Sequence, residues 1–402
     1  MRTILTWVAG VALLAGPLAL RAQNFRQSTS FCSASGLTAG LALGDLDGDG
    51  DLDLVFANGR HVAEPDPLYL NDGAGTFYPR GMLSEEPDRS YAVVLADFDG
   101  DGSLDAIVAN DTGDRSRIYL NDGRAGFRLL RGLGSGREAR RGVAAGDLNG
   151  DGDPDVVLVG PGQDHAYLNG GGLSWTESPL GNGQDYSLSV ALGDLDGDGD
   201  LDVAVGNRNG QPNVIHLNDG KGAFPETRPF GRGADETVSV ALGDLDGDGD
   251  LDVVTGNWGE ANAAYLNDGL ASFTPAGSFG DTEEQTWTAV LGDMDVDGDL
   301  DAVVGMNGVT ATPVDANGDG IPERWVEEAR DQPGRVFLND GKGGFTPGSS
   351  FGPGSARTRP VAVGDVDGDG DLDIAVGNDC EPNAIFYNGL RMPARRAVGR
   401  PG

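Results

Sequence analysis

Residues 193–202 read GDLDGDGDLD, and residues 243–252 repeat the same ten letters. Between Asp194 and Asp202, five carboxylates fall within nine residues. Like charges at about 4 Å repel by about 1 kcal/mol per pair even in bulk water. A bound cation removes that conflict, so the stretch is read as a cation-binding loop.

The same stretch begins at Asp45, Asp97, Asp147, Asp194, Asp244, Asp293 and Asp365, at intervals of 52, 50, 47, 50, 49 and 72 residues. A period near 50 means one supersecondary unit copied many times. Each copy opens with a short apolar run containing small residues, such as SVALGD (189–194). The acidic loop follows, and then a β-branched run such as LDVAVGN (201–207). After a variable connection comes YLNDG (69–73, 119–123, 265–269) or a variant: YLNGG (167–171), HLNDG (216–220), FLNDG (337–341). Asn-Asp-Gly between apolar runs signals a tight hairpin. Each unit is therefore expected to be four short antiparallel strands. Seven such units predict an all-β fold, a seven-bladed β-propeller over residues 23–390 with an insertion at 308–334 in blade six. The last copy ends at AIFYNGL (384–390), one strand short, while NFRQSTSF (24–31) aligns with AFPETRPF (223–230). The N-terminal strand is expected to complete blade seven and so remove an exposed sheet edge. If strands alternate in direction, Cys32 and Cys380 fall in loops on one face of that blade, which suggests a disulfide in an oxidising compartment.

The bulk numbers narrow the function. A formal charge of −36 over 402 residues leaves no basic stripe for phosphates, which excludes a nucleic-acid partner and argues against docking on an anionic membrane. Gly is abundant at 67 residues, as repeated turns require, and 38% hydrophobic content is enough for a core. Residues 1–22 have a basic start at Arg2, an apolar stretch broken by Pro17, and Ala22 before a cut, the pattern of a secretory signal peptide. No second long apolar run follows, so no membrane span is expected after cleavage, and the mature chain is expected to be secreted, extracellular or periplasmic. Residues 391–402 are expected to be a disordered tail.

Counted from its first Asp, each loop places oxygen ligands at positions 1, 3, 5 and 9, a backbone carbonyl at 7, and Gly at 6. This is the hard, turn-forming donor set that calcium takes. The candidate ligands of the first three loops are Asp45, Asp47, Asp49, Asp51 and Asp53; Asp97, Asp99, Asp101, Ser103 and Asp105; and Asp147, Asn149, Asp151, Asp153 and Asp155. The next two loops contribute Asp194, Asp196, Asp198, Asp200 and Asp202, then Asp244, Asp246, Asp248, Asp250 and Asp252. The last two contribute Asp293, Asp295, Asp297, Asp299 and Asp301, then Asp365, Asp367, Asp369, Asp371 and Asp373. Magnesium fits less well, since it prefers a water-rich octahedral shell. An EF-hand would need flanking helices and a Glu at position 12, and tandem nine-residue repeats would not be spaced; the bland alternative is a solvated acidic turn.

The D-x-D-G-D-G-x-x-D loop between apolar strands, followed by Y-L-N-D-G-x-G-x-F, resembles the FG-GAP/VCBS repeat of integrin α subunits and many exported bacterial proteins. The resemblance spans about residues 25–390. It implies a seven-bladed propeller with calcium in each blade. Asn149 with Pro154 departs from the pattern, as does Val296 at position 4, and the third site is expected to bind more weakly.

An eighth loop hides in the longest interval. DANGDGIPE (315–323) offers Asp315, Asn317, Asp319, the carbonyl of Ile321, and Glu323, with Arg324 and Trp325 beside it. It is expected on the face opposite the seven ring loops. On that face, six residues before each position 1, stand Ala39, Tyr91, Arg141, Leu188, Val238, Trp287 and Arg359, too varied for regular core positions. His61, His165 and Trp258 are placed in other loops of the same face, and His216 is read as structural. Tyr91, Arg141, Trp258, Trp287, Arg324, Trp325 and Arg359 form the candidate ligand face. The expected function is a calcium-binding module, expected as a monomer, that adheres to an extracellular polysaccharide or protein. The alternatives are a calcium-stabilised matrix protein and a polysaccharide-acting lyase or hydrolase. An enzyme is not expected: three scattered His, carboxylates already assigned to loops, and no G-x-S-x-G or H-E-x-x-H leave no catalytic set.

Overall fold

The computed structural model describes residues 25–27, 36–111, 113–314, 324–329, 332–354, 357–379 and 381–390. Among them there is no helix, and the chain forms repeated antiparallel sheets. Repeat two shows the plan. Ser90–Ala96, Asp105–Asn110, Ser116–Asn121 and Phe127–Leu133 pair in sequence order as one four-stranded sheet. The second strand is buried at every residue, as are Asp53–Asn58 and Asp252–Asn257 in repeats one and five. The fourth strand is largely exposed, as in Phe77–Met82. A second strand apolar on both faces is what a sheet sandwiched between two others requires.

The first strands lie against one another in succession, and that of repeat seven (Arg357–Gly364) lies against that of repeat one (Thr38–Gly44). The apolar clusters follow the same order, each shared by two consecutive repeats. One joins Phe98, Ile107 and Ile118 to Val156 and Leu158; another joins Leu54 and Phe56 to Val366 and Ile385, across the two ends of the chain. Apolar burial, worth about 25 cal/mol per Å², is therefore spent between repeats, not within a central core.

Small residues at the ends of the first strands allow this close approach. A Cβ on Gly193 would lie 2.6 Å from Leu251 Cδ1, and one on Gly364 would lie 2.8 Å from Leu52 Cδ1. In each case the Leu stands at loop position 8 of the next repeat. The first strand that ends on Ala, at Ala96, precedes the repeat with Pro at position 8, Pro154. A larger small residue thus accompanies a smaller partner, which gives the third loop's Pro a packing context.

Three features differ from the simple plan. Repeats three and four form one seven-stranded sheet, because Trp175–Gly193 runs unbroken as the last strand of one and the first of the next. Gly181 and Gly183, at φ 73° and 75°, let that strand bend while Pro161 and Gly162 stay paired to Tyr186 and Asp185. In repeat six, Val309–Val314 and Arg324–Ala329 form a separate hairpin between the second and third strands. In repeat seven, Arg26–Gln27 pairs with Ala384–Tyr387 and supplies the fourth strand, as the truncated last copy led one to expect. The proposed Cys32–Cys380 pair lies outside the described residues; nearby, Leu37 and Asp379 form an isolated antiparallel bridge.

The second-to-third connections are tied by buried polar groups. Asn213 accepts from Asn207 N at 2.8 Å and donates to Thr237 Oγ1 at 3.0 Å. Repeat three has a carboxylate there: Asp164 accepts from Gly160 N at 2.9 Å and from Ser187 Oγ at 2.6 Å. Burial pushes Asp164 up to about 7, against the lowering effect of those two bonds. A raised folded pKa means that its protonated form favours folding. That contribution is complete below about pH 4 and is lost as pH rises towards 7.

Asp164→Asn, able to bond as Asn213 does, should therefore raise stability at pH 8 by about 1–3 kcal/mol and flatten its pH dependence between 4 and 7, as read by urea unfolding. Gly193→Ala should destabilise by about 1–3 kcal/mol, with partial recovery when combined with Leu251→Val.

Candidate functional site

The two ends of the strands carry different chemistry. At one end lie the seven acidic loops, each joining a first strand to a second. Strands flank these loops on both sides, so the EF-hand alternative does not apply. Position 1 organises the turn: Asp194 accepts from Gly197 N at 2.8 Å and from Gly199 N at 3.0 Å. Asp45, Asp97, Asp147, Asp244 and Asp365 make the same pair of bonds. Position 4 is left-handed throughout, with Gly197 at φ 77° and Val296 at φ 60°. A β-branched residue there is strained, so the sixth loop keeps the shared conformation at a cost that the glycines avoid.

Position 9 is the most buried member. Asp202 has no exposed surface, and it accepts from Leu195 N at 3.0 Å and Asn218 N at 2.8 Å. Burial pushes Asp53, Asp105, Asp155, Asp202 and Asp252 up to about 6, and Asp301 and Asp373 up to about 7, opposed by the same two backbone donors each time. Carboxylate oxygens converge within the loops that begin at Asp45, Asp97, Asp194, Asp244 and Asp293. Asp45, Asp47 and Asp53 each bring one to within 4.8 Å of the others, as do Asp194, Asp196 and Asp202. Three position-3 oxygens, Asp47 Oδ1, Asp196 Oδ1 and Asp295 Oδ1, are buried with no hydrogen-bond donor. Orphaned buried carboxylate oxygens facing other carboxylates match the donor set of a hard cation.

The Asn of each L-N-D/G-G stretch has a role that the hairpin reading missed. Its side chain donates to the position-2 carbonyl of the preceding repeat's loop. Asn121 reaches Leu46 O at 2.8 Å, Asn169 Phe98 O at 2.9 Å, and Asn218 Leu148 O at 2.7 Å. Asn267, Asn339 and Asn388 reach Leu195, Leu245 and Met294, each at 2.8 Å. Asn71 joins the chain's ends by reaching Val366 O at 2.8 Å. In repeat two the hairpin is a five-residue loop between Asn121 and Phe127, not a two-residue turn, and is held by the next residue: Asp122 accepts from Arg124 N and Gly126 N. The available signal was an apolar residue held at position 2 inside each acidic stretch.

At the opposite end lies a cavity of about 440 Å³. Of the varied residues six before position 1, Ala39, Tyr91, Arg141, Leu188, Val238 and Trp287 line it. The register explains why. Ala39, Tyr91, Leu188, Val238 and Trp287 each sit at a β-bulge, skipped between paired neighbours. A bulge re-aims a side chain without breaking the strand. His61 and Trp258 also line the cavity.

Two expectations for this face need correction. Arg359 does not line the cavity. It is buried behind, paired with Asp379 at 2.7 Å and 4.8 Å from the Trp287 ring, because the bulge there covers two residues and turns Pro360 inward. His165 lies in a strand, opposite Leu158 and Pro179, because repeat three has almost no second-to-third connection. His216 is buried, bonded to Thr227 Oγ1 at 2.8 Å, and burial holds it down at about 4, as a structural role implies. In the inserted hairpin Trp325 is opposite Pro313 and Arg324 opposite Val314; the loop 315–323, with Asp315, Asn317, Asp319, Ile321 and Glu323, lies outside the described residues.

Sequence reasoning missed Arg60 and Arg208, which follow the second strands of repeats one and four. Arg60 stands at φ 51° with its N–H on Ser90 O at 3.1 Å. Its guanidinium lies 5.0 Å from the Trp287 ring and 5.8 Å from Tyr91. Arg141 lies 3.9 Å from the Tyr91 ring, and Arg208 lies 5.3 Å from Trp258, whose ring meets Trp287 edge-on at 5.9 Å. Burial pulls Arg141 down to about 10, so it stays charged at neutral pH. His61 bridges Asp111 at 2.7 Å and the Tyr91 hydroxyl at 3.1 Å. For Arg208 the missed signal was the residue just after the second strand, which varies among Asp111, Arg208, Trp258 and Asn307.

Asn218→Ala would strip the donor from two carbonyls, Leu148 O and Leu201 O. It should destabilise by about 2–4 kcal/mol in urea unfolding.

Comparison with known proteins places this geometry. A lectin from Agrocybe aegerita, in a structure describing recognition of non-reducing terminal N-acetylglucosamine, is 21% identical, with TM-score 0.50, over 78% of this chain and 80% of that one. A virginiamycin B lyase from Staphylococcus aureus, bound to quinupristin, is 10% identical, with TM-score 0.57, over 90% and 99%. BBS1N in complex with ARL6DN is 14% identical, with TM-score 0.57, over 93% and 100%. At these identities the likeness concerns the propeller-like fold alone. A comparison with curated proteins finds no match. The FG-GAP-like repeat profile matches 45–108, 97–158, 147–205, 194–255, 244–304 and 315–376, so the chain belongs to the FG-GAP-like repeat family.

Proposed function

We propose that the protein is an exported, calcium-stabilised β-propeller of seven blades that binds an extracellular glycan at the end opposite its acidic loops. The carrying observation is the contrast between the two ends. The loop end repeats the same residues and bonds, while the cavity end differs in every repeat and aims those differences inward through bulges. Repetition suits a scaffold, and variation suits a specific contact. The seven-blade reading is supported by the succession of first strands and by the N-terminal strand paired with the last repeat. The calcium reading is supported by the orphaned position-3 oxygens. A bound ion would be held by positions 1, 3, 5 and 9 with the position-7 carbonyl, and would offset the crowding of carboxylates that are otherwise partly buried. The lectin's printed specificity makes a glycan the first ligand class to test.

Two measurements check this reading. Removing calcium with EGTA should lower the melting temperature by about 5–15 °C, reversed by calcium and not by magnesium; an unchanged melt would remove calcium from the proposal. On a glycan array, the full chain should bind a restricted set of saccharides, and Trp258→Ala should abolish that signal with the calcium-bound melt intact. Binding to no saccharide would favour a purely structural role.

A further inference from the structure

The chain has 64 acidic and 28 basic side chains, yet the described residues lining the cavity include Arg60, Arg141 and Arg208 and no Asp or Glu. Each of these arginines is paired with an acid that does not line the cavity. Asp111 holds Arg141 Nη2 at 3.2 Å, Glu236 holds Arg208 Nε at 3.1 Å, and Asp379 lies 3.6 Å from Arg60 Nη1. Each guanidinium is thus held in place by a carboxylate. Arg141 Nε is buried without a hydrogen-bond partner. Asp379 also holds Arg357 at 3.2 Å and Arg359 at 2.7 Å, so five guanidinium groups share three carboxylates here, and in a protein of charge −36 this local excess of cations can focus a small anion.

The rings add shape. Trp258, Trp287, Arg60, Tyr91 and Arg141 form one continuous stack of contacts along the wall. Leu188 and Val238 add apolar side chains to the lining. Bidentate guanidinium pairing suits a carboxylate, and aromatic faces suit the apolar face of a pyranose. The volume of about 440 Å³ is in the small-ligand range, enough for one or two sugar rings.

Resting on the glycan-binding reading, we propose that this cavity takes a carboxylate-bearing sugar ring, a uronate unit of an acidic polysaccharide, with its carboxylate on Arg60 and Arg141 and its ring against Trp258 and Trp287. The unit enters as a chain end or short segment, because the acidic loops at the far end repel an extended polyanion.

The test is calorimetric titration of the full chain, in calcium, with trigalacturonate, its methyl ester, maltotriose and a sulfated trisaccharide. Trigalacturonate should bind, and the ester should bind at least tenfold more weakly, about 1.4 kcal/mol. Arg141→Gln should show a similar loss, and Arg128→Gln, on an exposed outer strand, should show none. Equal binding of acid and ester, or an unaffected, folded Arg141→Gln, overturns the uronate assignment and leaves the binding module standing. Preference for the sulfated sugar overturns the carboxylate. If a folded chain binds none of the four, both this inference and the glycan reading of the cavity fail. The ester comparison uses the unmodified chain, so it decides the matter even if Arg141→Gln fails to fold.

Discussion

The architecture depends on one buried carboxylate per repeat. The position-9 Asp has one oxygen on the backbone of its own loop and the other on the backbone of the third strand, as Asp202 does between Leu195 and Asn218. It fixes the Asn that follows, and that Asn reaches the neighbouring loop. Loop, strand and adjacent repeat are therefore joined through a single side chain. Replacing both partners by apolar groups is one way to remove a buried polar network, but here the partners are main-chain groups and cannot be removed. This explains how an acidic loop can sit so close to an apolar core.

The cavity follows from the same arrangement. Because the loops lock one end of every sheet, the first strands stay in register there and can carry irregularity at the other end. The bulges at Tyr91 and Trp287 fall near the starts of their strands, far from the loops. The backbone is thus repeated where it is tied and free to differ where it lines the cavity. Arg60, held in the left-handed region, fits this division: strain is tolerated at a site that neighbouring bonds determine.

Much of this was legible in the sequence, for physical reasons that differ by element. The period of the acidic stretch marked the repeats because the turn needs glycine and oxygen at fixed offsets. The N-terminal strand was legible because NFRQSTSF matched an outer strand that the last copy lacked. The column from Ala39 to Trp287 stood out because core positions do not vary so widely. Arg60 and Arg208 were not legible, since their place depends on how the second-to-third connection folds over the cavity. The Asn contacts were hidden because Asn-Asp-Gly already had a local explanation, and a local reading cannot reveal a bond to a residue some seventy positions away. Arg359 was misplaced for a related reason: spacing gives the register but not a two-residue bulge.

The pairing of Arg26–Gln27 with Ala384–Tyr387 has a consequence for biogenesis. A chain that emerges N-terminus first can build its early repeats as they appear, but its first strand has no partner until the last repeat arrives. Completion is thus coupled to the integrity of the far terminus. A chain cut short before residue 384 would keep most of its sheets and still present two unsatisfied edges, one at each end. The closing strand acts as an inspection step, in which only a chain that carries residues 384–387 gives Arg26–Gln27 a partner.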